Sequence, residues 1–189
     1  TLAKSARIGD PMQPDTNIGP VTTKPQYEKI LRYIDIAKTD GATLLHGGKP
    51  AEGQGVKGGQ FVEPTIFTDV ENHMRIAQEE VFGPVLVVMP FDSEAEVIAL
   101  GNDNDYGLAC GIWTRDFPRA YRVGRAITTG TVWINTYKQF SISTPFGGEK
   151  DAGTGREKGR EGIRAYQAQK SLYVDLTGRP HPWARLQEA

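Results

Sequence analysis

The chain has 189 residues, 38% of them hydrophobic and 24% charged, and a formal net charge of −1; that is enough for one ordinary domain with a real core. No basic run of five or more residues appears, which argues against nucleic acid or an anionic membrane as partner, and no apolar run approaches the roughly 20 residues of a membrane span. Cys110 is the one cysteine, which excludes an internal disulfide and a multi-cysteine metal site. With no signal-peptide core in TLAKSARIGDP, the expected setting is cytoplasmic.

Leu2, Ala3 and Ala6 share one side of a helix over LAKSARIG, with Gly9 where a left-handed C-terminal cap belongs. A chain that opens inside a helix is expected to be a piece of something longer; a trimmed small domain is the alternative. Thr22 and Thr23 precede a second helix. Its Tyr27, Ile30, Leu31, Ile34 and Ala37 recur at helical spacing, Pro25 lies in the first turn and Gly41 at the stop. ATLLHGG then predicts a short strand. GGKPAEGQGVKGGQ predicts a flexible hairpin or loop and no phosphate cradle, because it lacks the Lys-Ser/Thr ending of a P-loop. FVEPTIF predicts a strand, with Pro64 marking an edge or bulge.

PVLVVMPF is an unbroken apolar run, the pattern of a strand covered on both faces. Ser93 and Glu96 form a capping box for a helix over SEAEVIALGND. ACGIWT predicts a strand, Asp116 caps a helix over FPRAYRVGRAI, and GTVWIN predicts another strand. REKGREGIRAYQ is expected to be helical and KSLYVDL extended. This alternation implies an α/β fold around a mostly parallel sheet.

Five groups of residues invite chemistry. Glu79 and Glu80 stand at the entry to the apolar run. Adjacent residues on an extended chain point to opposite sides, so the two do not share one proton. An inward carboxylate beside Gly83-Pro84 can accept two hydrogen bonds from a vicinal diol such as a ribose; two exposed strand-entry charges are the plainer alternative, and spacing alone favours it. Cys110 sits in YGLACGIWT with no histidine or basic residue within four positions, so nothing local lowers its pKa and a packing role is expected. His46, His73 and His181 are scattered and show no metal spacing. GTGREKG (Gly153–Gly159) is spaced G-x-G-x-x-x-G with no strand directly before it, which rules out a dinucleotide fingerprint. Finally, Tyr137, Phe140 and Phe146 lie in a loop beyond a strand end. They either line an apolar pocket or close the core.

The segments EEVFGPVLVVMPF, NDNDYGLACGIWTRD, AITTGTVWINTY and TPFGGEKDAGTGREKGREGIRAYQAQKSLYVD, in this order and spacing, resemble the C-terminal part of the aldehyde dehydrogenase superfamily. The earlier IGDPMQPDTNIGPVTTKPQYEKILRYIDIAKTDGATLLHGGK and GGQFVEPTIFTDV resemble it too, so the likeness runs from about Leu2 to Leu176. The resemblance implies a catalytic-domain portion over 1–165, an oligomerisation strand over 166–176 and a tail over 177–189. It also implies oxidation of an aldehyde with NAD or NADP in a homo-oligomer, a dimer or tetramer. Carried over residue by residue, it makes Glu80 the ligand of the nicotinamide ribose and Phe82 the aromatic beside the nicotinamide. Phe140 and Phe146 become walls of the substrate tunnel, and Cys110 falls where the family has a small packing residue.

The family's nucleophilic cysteine, general-base glutamate, oxyanion-hole asparagine and cofactor-domain lysine have no counterpart in this sequence. No catalytic residue is therefore assigned, and the chain alone is expected to be inactive. A free-standing binding or assembly module on the same fold is the alternative. Glu149 stands where the family often has an aromatic, and Ala152 where it usually has Ser.

Overall fold

The longest helix follows from its own ends. In the computed structural model, which describes residues 2–179, α2 spans Lys24–Thr39. The Thr23 hydroxyl accepts from the Gln26 amide, Pro25 occupies the first turn, and Gly41 leaves the helix at φ 101°. Each device meets a backbone need at a helix end. Ile30, Ile34 and Ala37 line its inner face and are buried against Phe67, Met74 and Ile76. Full burial of a side chain such as Phe67 or Ile30 contributes about 1.5–3 kcal/mol.

Thirteen α-helices and β-strands follow in chain order among the described residues. They are α1 (Leu2–Ser5), α2, β1 (Thr43–His46), β2 (Thr65–Thr68), α3 (Arg75–Gln78), β3 (Val85–Val87) and α4 (Glu94–Asn102). Then come β4 (Tyr106–Gly107), β5 (Ala109–Ile112), α5 (Phe117–Ala126), β6 (Thr131–Ile134), β7 (Glu149–Lys150) and α6 (Gly159–Arg164). The class is α/β, as the alternation implies. The strands form three small sheets: a mixed one ordered β1-β2-β3, an antiparallel pair β4-β7 and a parallel pair β5-β6. Connection chemistry decides each pairing. The Gly-rich segment doubles back through a Pro50–Val62 bridge, so β1 and β2 are antiparallel. Helices α3 and α5 provide the crossovers that make β2–β3 and β5–β6 parallel.

Several expectations are corrected. The strand in FVEPTIF begins only at Thr65, because Pro64 has no amide to give a ladder. β3 is three residues long and is not covered on both faces: Val85 and Val87 pack on the α2 core, while Leu86 is 57% exposed and Val88 also faces out. Helix α1 ends at Ser5, and Gly9 is no left-handed cap; its amide donates to the Ile18 carbonyl at 3.0 Å in a short parallel bridge. Helix α6 is only six residues long. Lys170–Leu176 form neither helix nor ladder, and Leu172, Tyr173 and Leu176 stand exposed. His181 and most of the tail lie outside the described residues.

The caps at Ser93 and Asp116 form as expected. Ser93 Oγ accepts from the Glu96 amide and Glu96 reaches back to the Asp92 amide, one residue earlier than the usual box. Asp116 accepts from the Arg119 amide. Glu94 joins α4 to α5 through Arg119 at 2.7 Å and Arg122 at 2.8 Å, though exposed pairs of this kind contribute little.

Thr65 is the buried polar residue of the core, 1% exposed. Its hydroxyl accepts from the Gly48 amide and donates to the Glu63 carbonyl, both at 2.9 Å. Thr65→Val keeps the shape and strands both groups, so it should cost about 1–3 kcal/mol. Urea unfolding checks this: the midpoint should fall with the slope unchanged, and an unmoved midpoint contradicts it.

Candidate functional site

The turn Glu79–Pro84 leaves the C-terminal end of α3 and enters β3. Its two carboxylates part company, as the alternation of an extended chain requires. Glu79 is held by the protein: Arg75 Nε and Nη2 donate to it at 2.9 and 3.1 Å, and the Tyr33 hydroxyl donates as well. Those bonds, Arg75 first and Tyr33 second, hold its carboxyl well below the usual range, at about 2. The Glu79 carboxylate in turn pushes the Tyr33 hydroxyl up. Lys29 and Arg75 both lie over the Tyr33 ring, 5.5 and 5.7 Å from its centroid.

Glu80 differs. Its carboxylate is exposed and makes no hydrogen bond or ion pair among the described residues. Only its backbone is fixed, with the Glu80 carbonyl accepting from Lys29 Nζ at 2.7 Å. The next two carbonyls, of Val81 and Phe82, both accept from Gln26 Nε2, at 2.8 and 2.9 Å. Helix α2 thus braces three consecutive peptide units. Phe82 sits at φ 56°, a conformation that costs a non-glycine residue energy and persists only where the surroundings impose it. Its ring is 73% exposed. Gly83 passes so close to α2 that a Cβ there would stand 2.5 Å from Ile30 Cγ1, which makes glycine a steric requirement.

The second group spans β6 and the loop beyond it. Trp133 is buried, and its indole N–H donates to the Gln139 carbonyl at 2.8 Å. Tyr137 and Phe140 meet it edge-on at 5.2 and 5.5 Å, and Phe140 meets Phe146 edge-on at 5.0 Å. These are favourable aromatic geometries. Lys158 Nζ stands 4.1 Å from the centre of the Phe140 ring. Phe146 is pinned by a backbone bridge to Glu157. Trp133, Gln139, Phe140, Pro145 and Phe146 line a cavity of about 380 Å³. Phe82 lines a separate recess of about 220 Å³, and the two share no lining residue.

GTGREKG has a structural use. Arg156 donates to the Gly148 carbonyl at 2.6 Å and pairs with Glu149, and a Cβ on Gly147 would lie 2.1 Å from the Gly155 carbonyl oxygen. The glycines allow backbones to touch. Cys110 lies half-buried in β5, where burial pushes its thiol up, away from the reactive thiolate. Among the described residues, no three of His, Cys, Asp and Glu converge as a metal site, and no helix is long and apolar enough to cross a membrane.

The sequence pattern of the aldehyde dehydrogenase family matches residues 1–172. The chain belongs to the aldehyde dehydrogenase family. It is similar to betaine aldehyde dehydrogenase from Mesorhizobium japonicum, 50% identical over 172 residues, 91% of this chain and 35% of that protein. The Brucella anthropi enzyme of the same name is 46% identical over 173 residues, 92% of this chain and 36% of that protein. Among solved structures, a betaine aldehyde dehydrogenase from Staphylococcus aureus in complex with NAD+ superposes with a TM-score of 0.90 at 39% identity, covering 98% of this chain and 37% of that one. The NAD+ complex of an aldehyde dehydrogenase from Bacillus cereus gives 0.85 at 43% identity, over 93% and 35%. The chain spans roughly a third of the length of the curated relatives it matches.

Sequence reasoning missed Gln26, Lys29, Trp133 and Lys158. The first two face the turn from a helix distant in sequence, and no local motif announces them. Trp133 carried one usable signal, an indole N–H on a strand that must find an acceptor.

The Glu79 cluster makes a pH prediction. Its folded pKa lies below the unfolded value, so its stabilisation is complete above the ordinary 4.5 and is lost as pH falls toward about 2. Glu79→Gln should therefore flatten the acid limb of the stability curve in that window. Acid titration followed by circular dichroism reads this, and superimposable limbs contradict it.

Proposed function

We propose that this chain is the C-terminal catalytic-domain portion of an NAD(P)-dependent aldehyde dehydrogenase, with residues 1–165 in that domain and 166–176 as the strand that joins subunits. The observation that carries the cofactor assignment is the divergence of the two carboxylates: Glu79 is consumed by Arg75 and Tyr33, and Glu80 is left without a side-chain partner among the described residues, on a braced turn. An ionised carboxylate has only acceptor sites, which suits the two donors of a ribose diol. The exposed Phe82 ring, two residues on, supplies an apolar wall for the nicotinamide. NAD(P), when bound, supplies the hydride acceptor. The chain's part is to orient that group and to enclose the aldehyde with Phe140 and Phe146, whose cavity is walled by edge-on rings with Gln139, Ser141 and Thr144 also in its lining. Oxidation of the aldehyde needs a nucleophile that these residues do not offer, since Cys110 is held as a neutral thiol. The chain alone is accordingly inactive, and the active enzyme is a cytoplasmic homo-oligomer.

The relatives' names make betaine aldehyde the first substrate to test. Ring faces attract a quaternary ammonium, whereas Lys158 over Phe140 opposes a second cation. Comparison of betaine aldehyde with its neutral tert-butyl isostere weighs the two effects. In the full-length enzyme, kcat/KM should favour the cationic substrate by about tenfold or more, and equal values would remove it. In the same enzyme, Glu80→Gln should raise the KM for NAD+ by about tenfold or more, since hydrogen bonds to a charged group are worth about 1.5–3 kcal/mol. Unchanged kinetics would return Glu80 to an ordinary surface charge.

A further inference from the structure

We propose that Gln78 and Lys150 are positioning residues that hold the cofactor-side turn and the substrate-side loop in one register by gripping the same segment, Asn102–Asp105. The proposal rests on the assignment of Glu80 to the cofactor and of Phe146 to the substrate pocket.

The segment follows the last turn of α4, where helical carbonyls lose their internal partners. Side chains and backbone from two distant stretches take them up one after another. Lys150 Nζ donates to the Asn102 carbonyl at 2.9 Å and to the Asn104 carbonyl at 2.6 Å. Between them, the Asp103 carbonyl accepts from Gln78 Nε2 at 2.8 Å and from Asn72 Nδ2 at 3.0 Å. The Asp105 carbonyl accepts from the Asp151 amide at 2.9 Å. Four consecutive carbonyls are thus divided between residues 72–78 on one side and 150–151 on the other. The segment is itself tied down. Asn102 donates to the Ala126 carbonyl at 2.8 Å and accepts from the Thr128 amide at 2.7 Å, and Asn104 accepts from the Tyr106 amide at 2.7 Å.

Each grip ends next to a functional stretch. Gln78 is the last residue of α3, and Glu79 follows directly at the start of the turn. Gln78 also donates to the Asn72 carbonyl at 2.6 Å, so the exit of α3 has little freedom. Lys150 closes β7 just past Phe146-Gly147-Gly148 and sits at φ 53°. A lysine holds that conformation only against a cost, and its ammonium, between two carbonyls beyond the negative end of α4, is positioned to offset it. The Lys150 bonds and the Gln78 bond to Asn72 are partly buried, so water replaces them poorly, while the Gln78 bond to Asp103 is exposed. A displacement on either side of the shared segment must either break these bonds or be passed across it. That is the requirement for an energetic coupling between two sites, and such a coupling is reciprocal.

The test uses the full-length enzyme with NAD+ and its aldehyde. Gln78→Leu, Lys150→Met and the double variant are compared by steady-state kinetics, and hydrogen exchange is followed over the Glu79–Gly83 amides. Each single variant should raise the KM of both substrates by about fivefold, and the double variant should fall short of the product of the two. Lys150→Met should speed exchange at Glu79–Gly83, which Lys150 does not touch, and Lys150→Arg should restore part of the loss. The proposal is overturned if Lys150→Met moves only the aldehyde KM with exchange at Glu79–Gly83 unchanged, or if the variants lower only thermal stability. Gln78→Asn, which shortens the reach without removing the amide, serves if Gln78→Leu fails to fold. A wild-type enzyme that oxidises no aldehyde would sink the proposed function, while the exchange experiment would still decide the coupling.

Discussion

The carboxamide nitrogen of Gln26 donates to two successive carbonyls, Val81 and Phe82, and the shape of the candidate cofactor turn depends on that contact. Without it, Phe82 has no reason to remain at positive φ with its ring turned outward. Lys29 extends the brace to the Glu80 carbonyl, and Gly83 lets the turn lie against Ile30. All three contacts come from one face of α2, whose inner side is fixed by Ile30, Ile34 and Ala37 in the core. Burial of that apolar face therefore does two things at once: it stabilises the fold, and it sets the position of the turn. The backbone of the turn is constrained while the Glu80 side chain is left free, which is the condition for a pre-organised ligand.

Charge follows the same division. Glu79 is fully used by Arg75 and Tyr33, so it serves the architecture of the α2–α3 corner. Glu80 has no such duty. Two identical side chains, adjacent in sequence, are assigned different work because an extended chain points them apart and only one direction meets donors. In the aromatic group, buried Trp133 plays the part that α2 plays for the turn. Its indole fixes the Gln139 carbonyl, and Tyr137 and Phe140 pack on it edge-on, which sets where Phe146 can stand.

What was legible in the sequence was local. The helices over Lys24–Thr39, Glu94–Asn102 and Phe117–Ala126 were announced by Thr23, Ser93 and Asp116, each of which satisfies the amide three residues on. Strand pairing was less legible, because it is decided by what the connections allow. Pro64 shortens β2, the Gly-rich segment reverses the chain into an antiparallel pair, and the apolar run at β3 has one face open at Leu86 and Val88. Spacing alone left Glu80 as a surface charge; its assignment came from the ordered resemblance to a family. The residues that position it, Gln26 and Lys29, were not legible at all. Their contacts join stretches far apart in sequence, and ordinary helix-surface residues carry no mark of such a role.

The most direct test is the structure of the full-length enzyme bound to NAD+. The account predicts the Glu80 carboxylate within hydrogen-bonding distance of both nicotinamide ribose hydroxyls, with Glu79 still on Arg75 and Tyr33 and the Gln26 bonds to Val81 and Phe82 intact. A Glu80 side chain turned to solvent beside a bound cofactor, or a turn rebuilt around Glu79, would contradict it.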